Sequence, residues 1–351
     1  MFSFRTTPLE DQLDKALLDG RVGCFTTPNC WDSKRGRYVW ELFKQRRNLA
    51  AQFRPSEGES SPSEGQFDID TLRQLDAVVV EIQDIGSRSF AFTRDVMRIV
   101  QTLTTLGDDA PAMYVADHLN PLGRVVEGTV PEKDRSFPRV AHRHGLTLGE
   151  LCNLYYNEIG AKFPLHIISA LASDSSRQLL PWSIPPAPDI TGMFSSLMFV
   201  GGCLWNGTTI SPGIGTPRAY EYIGAPFIDH RPLDALPAPE GVLMRPCTFV
   251  PNAGPYAGEY CKGYQIILTP GVEYHSLLHT LQLMRWFSER YSRFELKEEF
   301  SLALADPVLE DYVKGHISYQ DARDHVKTQE QRWIRKARRF CLYDDFPYRI
   351  K

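Results

Sequence analysis

Carboxylate, amide and guanidinium side chains are concentrated at the end of one apolar stretch of this sequence. Residues 76–82 (DAVVVEI) form a β-branched run that is typical of a strand buried on both faces. Glu81, Gln83, Asp84 and Arg88 lie at its carboxyl end, in or beside a polar turn. Carboxylates can act as general acids or bases, and an arginine can bind an anionic group through two parallel hydrogen bonds. A local ion pair in a solvated turn explains the same residues equally well, because structural ion pairs also occur in such turns.

A helical stretch follows that turn, and the alternation of strands and helices continues along the chain. From residue 93 the apolar residues recur at helical spacing. Further strands are predicted at residues 20–27, 49–53, 112–117 and 164–170. This alternation predicts a Rossmann-like domain with a mainly parallel sheet, in which ligands bind outside the carboxyl ends of the strands. Since no G-x-G-x-x-G follows the first strand, a dinucleotide is not indicated.

The C-terminal third of the chain has a different pattern. Its strands and helices are predicted at residues 245–250, 263–268, 277–291, 306–314 and 318–340. Residues 229–240 are typical of a domain junction, and 351 residues are enough for two domains. We therefore predict an α/β fold in which a Rossmann-like domain (1–232), carrying the site, precedes a smaller α/β (α+β) domain (233–351). The glycine-rich residues 201–217 are predicted to form a long functional loop.

Composition and charge restrict the classes of function. A net charge of −4 gives no reason to expect a nucleic acid or an anionic membrane as partner. Charged residues interrupt the first apolar run and no 18-residue apolar stretch exists, so neither a signal peptide nor a membrane span is predicted. Seven cysteines without a C-x-x-C pair predict mostly buried free thiols and a cytoplasmic location. Cys24 and Cys30 have too few possible ligands nearby in the sequence for a metal site, so no metal and no cofactor are expected.

Two more polar segments lie next to predicted elements. Asp117 ends the next predicted strand, and Asn120 lies in the turn after it. His144 precedes a helix that opens with the T-x-x-E of residues 147–150, a capping box whose glutamate serves the helix start. Because the carboxyl ends of parallel strands meet at one edge, Asp84, Asp117 and His144 are expected to share one cleft.

Short motifs over most of the chain occur in the order found in one known family. With the family pattern that each range of this chain resembles in brackets, they are residues 80–88 (D-I-Q-D-V-G-x-R), 117–123 with 126–128 (D-R-P-N-P-x-G, then V-E-G), 144–151 (H-G-M-T-x-G-E-L), 186–189 (P-S-P-N), 223–226 (I-G-A-P) and 340–343 (the closing strand Y-L-L-Y). From about residue 20 onward the chain resembles the NamZ-type exo-β-N-acetylmuramidases, long catalogued as a domain of unknown function. The resemblance implies a Rossmann-like domain, a smaller C-terminal α/β domain, and release of N-acetylmuramic acid from the non-reducing ends of peptidoglycan fragments.

The chain also departs from the family pattern where chemistry is expected. Where the family has F-G-P-E-H-G, residues 53–58 are FRPSEG, so Ser56 replaces a glutamate suspected of catalysis and Glu57 is displaced by one position. The family's E-G-T-N and S-E-G-R-G are here NGTT (206–209) and SPGIG (211–215). The first Asp of D-I-Q-D is Glu81. The motifs of the scaffold thus resemble those of the family, whereas the residues expected in the cleft differ from the family pattern.

The first hypothesis is a glycoside hydrolase acting on N-acetylmuramic acid-containing peptidoglycan fragments or a related amino sugar. Glycoside hydrolysis commonly uses two carboxyl groups, although a 2-acetamido sugar can supply its own nucleophile. The candidate catalytic carboxylates are Glu57, Glu81, Asp84 and Glu127. The candidate substrate-binding residues, with Arg88 for a lactyl carboxylate and the others for the sugar, are Gln83, Arg88, Asp117, Asn120, His144, Asp189 and Asn206.

The alternative hypothesis is a catalytically degenerate homologue that binds a sugar or a partner protein without hydrolysis. A nucleotide-binding Rossmann protein is the weakest possibility, because the glycine fingerprint is absent. A carbohydrate is thus the expected partner, with no nucleic acid and no membrane. The sequence leaves the oligomeric state open.

Overall fold

A five-stranded parallel sheet is the centre of the N-terminal half of the protein. The computed structural model describes residues 17, 19–32, 35–54, 67–131, 139–168, 184–229 and 236–343. The strands of this sheet are β1 (Val22–Thr26), β2 (Leu49–Phe53), β3 (Ala77–Glu81), β4 (Ala112–Ala116) and β5 (Leu165–Ile168). Their spatial order is β2-β1-β3-β4-β5, with every neighbouring pair parallel. The order reverses between β1 and β3, which creates a topological switch point at that position.

Helices connect these strands and continue through the C-terminal half. The α-helices are α1 (Val39–Gln45), α2 (Ile69–Arg73), α3 (Ala91–Leu106), α4 (Leu148–Glu158), α5 (Met193–Gly202), α6 (Ser276–Arg290), α7 (Glu298–Leu304), α8 (Pro307–Val313) and α9 (Tyr319–Ala337). Short 3₁₀ turns cover Pro28–Cys30, Gly107–Asp109, Cys203–Gly207 and Arg338–Phe340. The start of α4 has the predicted capping box, because the Glu150 carboxylate accepts from the Thr147 peptide N–H while the Thr147 hydroxyl accepts from that of Glu150. Across the described ranges, no helix is both long and apolar enough to cross a bilayer.

Strand β3 shows why the sheet is covered on both faces. All five of its residues are buried. Val78 and Val80 belong to the large hydrophobic core that includes α3, whereas Val79 belongs to a second cluster with Val39 and Phe43 of α1. Successive side chains of a strand point to opposite faces, so a continuous apolar run requires a helix layer on each side. The predicted Rossmann-like, mainly parallel α/β fold is confirmed.

A smaller antiparallel sheet lies in the C-terminal half. It contains β6 (Tyr222–Ala225), β7 (Val242–Phe249) and β8 (Cys261–Leu268) in the order β6-β8-β7. Strand β6 precedes the predicted boundary between residues 232 and 233 and pairs with β8 beyond it. That domain boundary stays a prediction. The cysteine prediction is confirmed, since all seven cysteines are free thiols and six of them are buried.

The sequence patterns missed or misassigned several elements, among them strand β6. Helix α5 is buried almost all round and ends in two glycines, so it lacks the one-sided apolar stripe of a surface helix. The predicted loop at 201–217 therefore begins with the last residues of α5 and a 3₁₀ turn. Helix α7 was also not predicted. Residues 340–343, which resemble a closing strand, form the end of a 3₁₀ turn followed by irregular backbone.

The packing of β6 on β8 predicts a strong effect at Gly263. A Cβ atom added there would lie 1.9 Å from the backbone oxygen of Ile223, which cannot move without breaking the β6–β8 pairing. We expect Gly263→Ala to lower the free energy of unfolding by about 3 kcal/mol or more in urea titrations. Gly192→Ala is the matched control, since its Cβ would meet nothing within 4 Å. Equal stability of the two variants would contradict this close packing.

Candidate active site

Polar side chains from three separate segments meet at the carboxyl edge of the parallel sheet. His144 Nε2 lies 3.4 Å from Asp84 Oδ2, and Gln83 donates to the backbone oxygen of Leu119 at 3.0 Å. Asn120 donates to the backbone oxygen of Leu146 at 3.0 Å. The turns after β3 and β4 and the segment before α4 thus form one connected layer. Most of its side chains are buried.

Asp84 fixes the turn that follows β3. Its Oδ1 accepts a 2.6 Å hydrogen bond from the Thr93 hydroxyl on α3, and its Oδ2 accepts one of 2.8 Å from the peptide N–H of Gly86. His144 Nδ1 accepts from the peptide N–H of Leu146, so in the neutral ring the proton is assigned to Nε2, which faces Asp84. The carboxylate is therefore bonded to protein groups on several sides. A catalytic role for Asp84 stays a prediction.

Asp117 supports the start of α4. Its Oδ1 accepts from the peptide N–H of Gly149, and its Oδ2 accepts from the hydroxyls of Thr147 and Tyr343 at 2.6 and 2.8 Å. Burial raises the pKa of Asp117 to about 6, although these three hydrogen bonds oppose that shift. The peptide N–H of Leu342 likewise donates to Glu150 on the same helix. Asp117 thus lies at the predicted edge, with its oxygens directed at the helix start and at residues 342–343.

Glu127 connects the N-terminal half to α6. Its Oε1 accepts from Arg143 at 2.6 Å, and its Oε2 accepts from the peptide N–H of Ser276, the first residue of α6, at 2.7 Å. His275 lies between two carboxylates, with Nδ1 3.4 Å from Glu127 Oε2 and Nε2 2.9 Å from Glu330 Oε1. Burial lowers the pKa of His275, but the two carboxylates outweigh it and the net pKa is raised. The arrangement places the His275 ring between the two halves.

Arg88 forms a second connection between the halves. Its guanidinium donates to the backbone oxygens of Thr129, Ala303 and Leu304 at 2.8–3.1 Å. It also lies 2.8 Å from Nε2 of His142, whose ring stays neutral because burial and the Arg88 charge lower its pKa. The two α7 carbonyls are at the C-terminal end of that helix, where a positive charge is favoured. A role for Arg88 in binding a substrate carboxylate stays a prediction.

The remaining predicted residues lie in different places. Asp189 is half-buried beside Gly215 of the glycine-rich segment, and burial raises its pKa. Asn206 is half-buried in the 3₁₀ turn that follows α5. Glu57, with the neighbouring Ser56, lies outside the described residues. The substrate or catalytic roles of all three predicted residues stay predictions.

Glu81 has a different environment from the other carboxylates. It ends β3, is fully buried, and has its Oε1 4.0 Å from Nε2 of His118, which follows β4. Cys30, at the end of the 3₁₀ turn after β1, completes a group whose ligand atoms all lie within 4.8 Å of one another. The sequence did not indicate that Cys30 and His118 lie beside Glu81, because only the strand order β1-β3-β4 shows that the residues following these strands are neighbours. Burial and the Glu81 charge raise the pKa of the Cys30 thiol.

The fold and the site define an α/β protein with a polar layer at the switch point of a parallel sheet and a smaller antiparallel sheet beside it. The family model of exo-beta-N-acetylmuramidase NamZ matches this chain in two parts, the N-terminal one over residues 63–193 and the C-terminal one over 197–343. The chain therefore belongs to the NamZ family, as its motifs predicted.

Individual relatives agree with this assignment. The chain is 26% identical over 236 residues to the peptidoglycan beta-N-acetylmuramidase NamZ of Bacillus subtilis (strain 168). That match covers 63% of this chain and 55% of the relative, so it spans about half of the relative's length. Two crystal structures of DUF1343 family proteins from Bacteroides fragilis NCTC 9343 share the fold. The first has a TM-score of 0.79 and 22% sequence identity, and the match covers 98% of this chain and 100% of that one. The second has a TM-score of 0.73 and 18% sequence identity, and the match covers 93% of this chain and 95% of that one.

The contacts of Arg88 predict a loss of stability when it is removed. We expect Arg88→Ala to lower the free energy of unfolding by about 3 kcal/mol, because three carbonyl oxygens lose a charged donor. Arg332→Ala, which removes an exposed arginine of α9, should change it by less than about 0.5 kcal/mol. An Arg88→Ala protein that stays stable but fails to bind a carboxylate-bearing sugar would instead favour the substrate-binding role.

The pKa of His275 predicts a pH-dependent contribution to stability. Because the folded-state pKa is raised, His275 stabilises the fold fully below its unfolded-state pKa of about 6.5 and loses this effect as the pH rises through the folded-state value. The stability difference between wild type and His275→Gln should therefore be roughly 1 kcal/mol larger at about pH 5.5 than at about pH 9. Exposed His166, substituted in the same way, is the control. A difference that does not vary with pH would show that the ring is not charged between Glu127 and Glu330.

Proposed function

We propose that this protein is a glycosidase that removes N-acetylmuramic acid, or a related amino sugar, from peptidoglycan fragments. Membership of the NamZ family and the activity of the Bacillus relative, a peptidoglycan beta-N-acetylmuramidase, support the class of reaction. In this chain, the main structural support for the proposal is the position of Glu81. Its carboxylate ends the central strand at the switch point between β1 and β3, where ligands of open parallel sheets bind.

The chemistry requires a group that protonates the leaving oxygen and a second group that acts on the anomeric carbon or on water. In retaining and inverting enzymes these are two carboxyl groups about 5–10 Å apart. We assign one role to Glu81, whose carboxylate oxygen Oε1 lies 4.0 Å from Nε2 of His118. We assign the second role to Glu57, or to the acetamido group of the substrate itself. Asp84, Asp117 and Glu127 are assigned to holding the surrounding turns in place, because protein donors engage both oxygens of each.

A specific observation also favours binding without hydrolysis. Of the candidate catalytic carboxylates, Asp84 and Glu127 are fully engaged by protein donors. Ser56 stands where the family pattern has the suspected catalytic glutamate, and a hydroxyl cannot protonate a leaving group at neutral pH. A protein that kept the cleft and lost one carboxyl group would still bind the sugar.

Hydrolysis of chromogenic β-N-acetylmuramides and β-N-acetylglucosaminides tests the proposal. We expect the wild type to cleave the muramide, and Glu81→Gln and Glu57→Gln each to lose activity by about 10²–10⁴-fold, as expected for removal of a general acid or base. Glu240→Gln, which changes an exposed glutamate, should retain full activity. Thermal unfolding of each variant separates a loss of chemistry from a loss of fold.

Calorimetry with the same sugars distinguishes the two hypotheses. For a glycosidase, the inactive variants should still bind the muramide with an affinity close to that of the wild type. Binding of muramic acid fragments by a wild type that never cleaves them would support the binding-only function. Full activity of Glu81→Gln would remove Glu81 from the mechanism.

A further inference from the structure

Three side chains from distant parts of the sequence converge at the switch point of the parallel sheet. They are the Cys30 thiol after β1, the Glu81 carboxylate at the end of β3 and the His118 imidazole after β4. Sγ, a carboxylate oxygen and a ring nitrogen all lie within 4.8 Å of one another. The three residues are 3%, 0% and 8% exposed, so the group is enclosed by protein.

The spacing of these atoms is close to that around a tetrahedral metal ion. Zinc binds sulfur at about 2.3 Å and nitrogen or oxygen at about 2.0–2.2 Å, which places neighbouring ligand atoms about 3.3–3.6 Å apart. Glu81 Oε1 and His118 Nε2 are 4.0 Å apart. Side-chain adjustments of about 1 Å would therefore bring all three atoms into coordination distance.

The charges of the group also match a divalent cation. A thiolate and a carboxylate together carry two negative charges, and a neutral imidazole adds none. A buried ion of charge +2 would leave the group neutral, which avoids the cost of an uncompensated buried charge. Thiolate and imidazole donors favour zinc and similar transition-metal ions over magnesium or calcium, which prefer oxygen ligands.

Without a bound cation, the surroundings of Cys30 favour the neutral thiol. The Thr27 hydroxyl lies 3.4 Å from Cys30 Sγ, and it and the backbone groups of Thr27 and Gln83 lower the thiol pKa. Burial and the charge of Glu81 act in the opposite direction and outweigh them. A cation bound between the Cys30 thiol and the Glu81 carboxylate would instead lower the thiol pKa, because metal coordination deprotonates a thiol.

We propose that Cys30, Glu81 and His118 bind one divalent transition-metal ion, of the zinc type, at the β1/β3 switch point. Three protein ligands leave a fourth tetrahedral position for water, which is the arrangement of catalytic rather than structural zinc sites. The sequence-based expectation of no metal site considered only residues near Cys24 and Cys30, and the ligands come from other strands. In the motifs that the chain resembles, the position of Glu81 is occupied by Asp and that of His118 by Arg. The inference does not rest on the proposed function, and with a metal bound Glu81 would be a ligand and not a general acid or base.

Metal titration of the full-length chain tests this site without any sugar substrate. After removal of bound metal by dialysis against a chelator, Co²⁺ should bind at one equivalent and produce a thiolate-to-cobalt charge-transfer band that Zn²⁺ abolishes by displacement. The band should be absent in Cys30→Ser. His118→Gln and Glu81→Gln should weaken Zn²⁺ binding at least about 100-fold, since even loss of an outer hydrogen-bond partner costs 10–100-fold.

Cys203→Ser is the matched control, because that buried thiol donates to the backbone oxygen of Val200 and a hydroxyl can do the same. It should bind cobalt like the wild type. Circular dichroism of all variants checks that they fold. The proposal fails if the folded wild type binds neither metal, if its cobalt complex lacks the charge-transfer band, or if Cys30→Ser binds zinc as tightly as the wild type. Metal binding without hydrolysis would reject only the proposed function, and hydrolysis by metal-free protein without metal binding would reject only this site.

Discussion

Burial of charged side chains at the carboxyl edge of the sheet is the constraint on which the rest of the structure depends. Glu81, Asp84, Asp117 and Glu127 are each at most 2% exposed. An ionised carboxylate in such a place needs hydrogen-bond donors or a counter-charge, since an uncompensated one would cost several kcal/mol. Most of the nearby turns are shaped to supply them. Gly86, for example, offers its peptide N–H to Asp84 from a backbone with φ of 80°, where an added Cβ would contact Asn120.

The same constraint joins the two halves of the protein. The peptide N–H of Ser276 at the start of α6 donates to Glu127, and the carbonyls at the end of α7 accept from Arg88. The Trp333 ring of α9 donates to the backbone oxygen of His144. Helix termini carry partial charges, so these two termini are each matched with a side chain of opposite sign. The N-terminal sheet and the C-terminal helices thus share one polar layer.

The sequence predicted the individual strands and helices of this fold better than it predicted which residues from different elements lie side by side. The apolar run of β3 and the T-x-x-E before α4 depend on residues close in the chain, and both were recognised. The partners of Arg88 are up to 216 residues away, so its spacing from Glu81 and Asp84 indicated a local ion pair. The grouping of Cys30 with His118 depends on strand order, which no local pattern contains. Helix α5 was missed because a helix buried almost all round has no clear amphipathic period.

The bonds made by residues 340–343 have a consequence for biosynthesis. Phe340, Leu342 and Tyr343 contact Asn153, Glu150 and Asp117, which all belong to the end of β4 or to α4. These partners are separated by up to 226 positions in the chain. Domains generally fold as units during synthesis, with the N-terminal one first. Here the buried carboxylate of Asp117 acquires its last donor only after residue 343 has left the ribosome. The sheet therefore completes its polar edge only after translation of the C-terminal half.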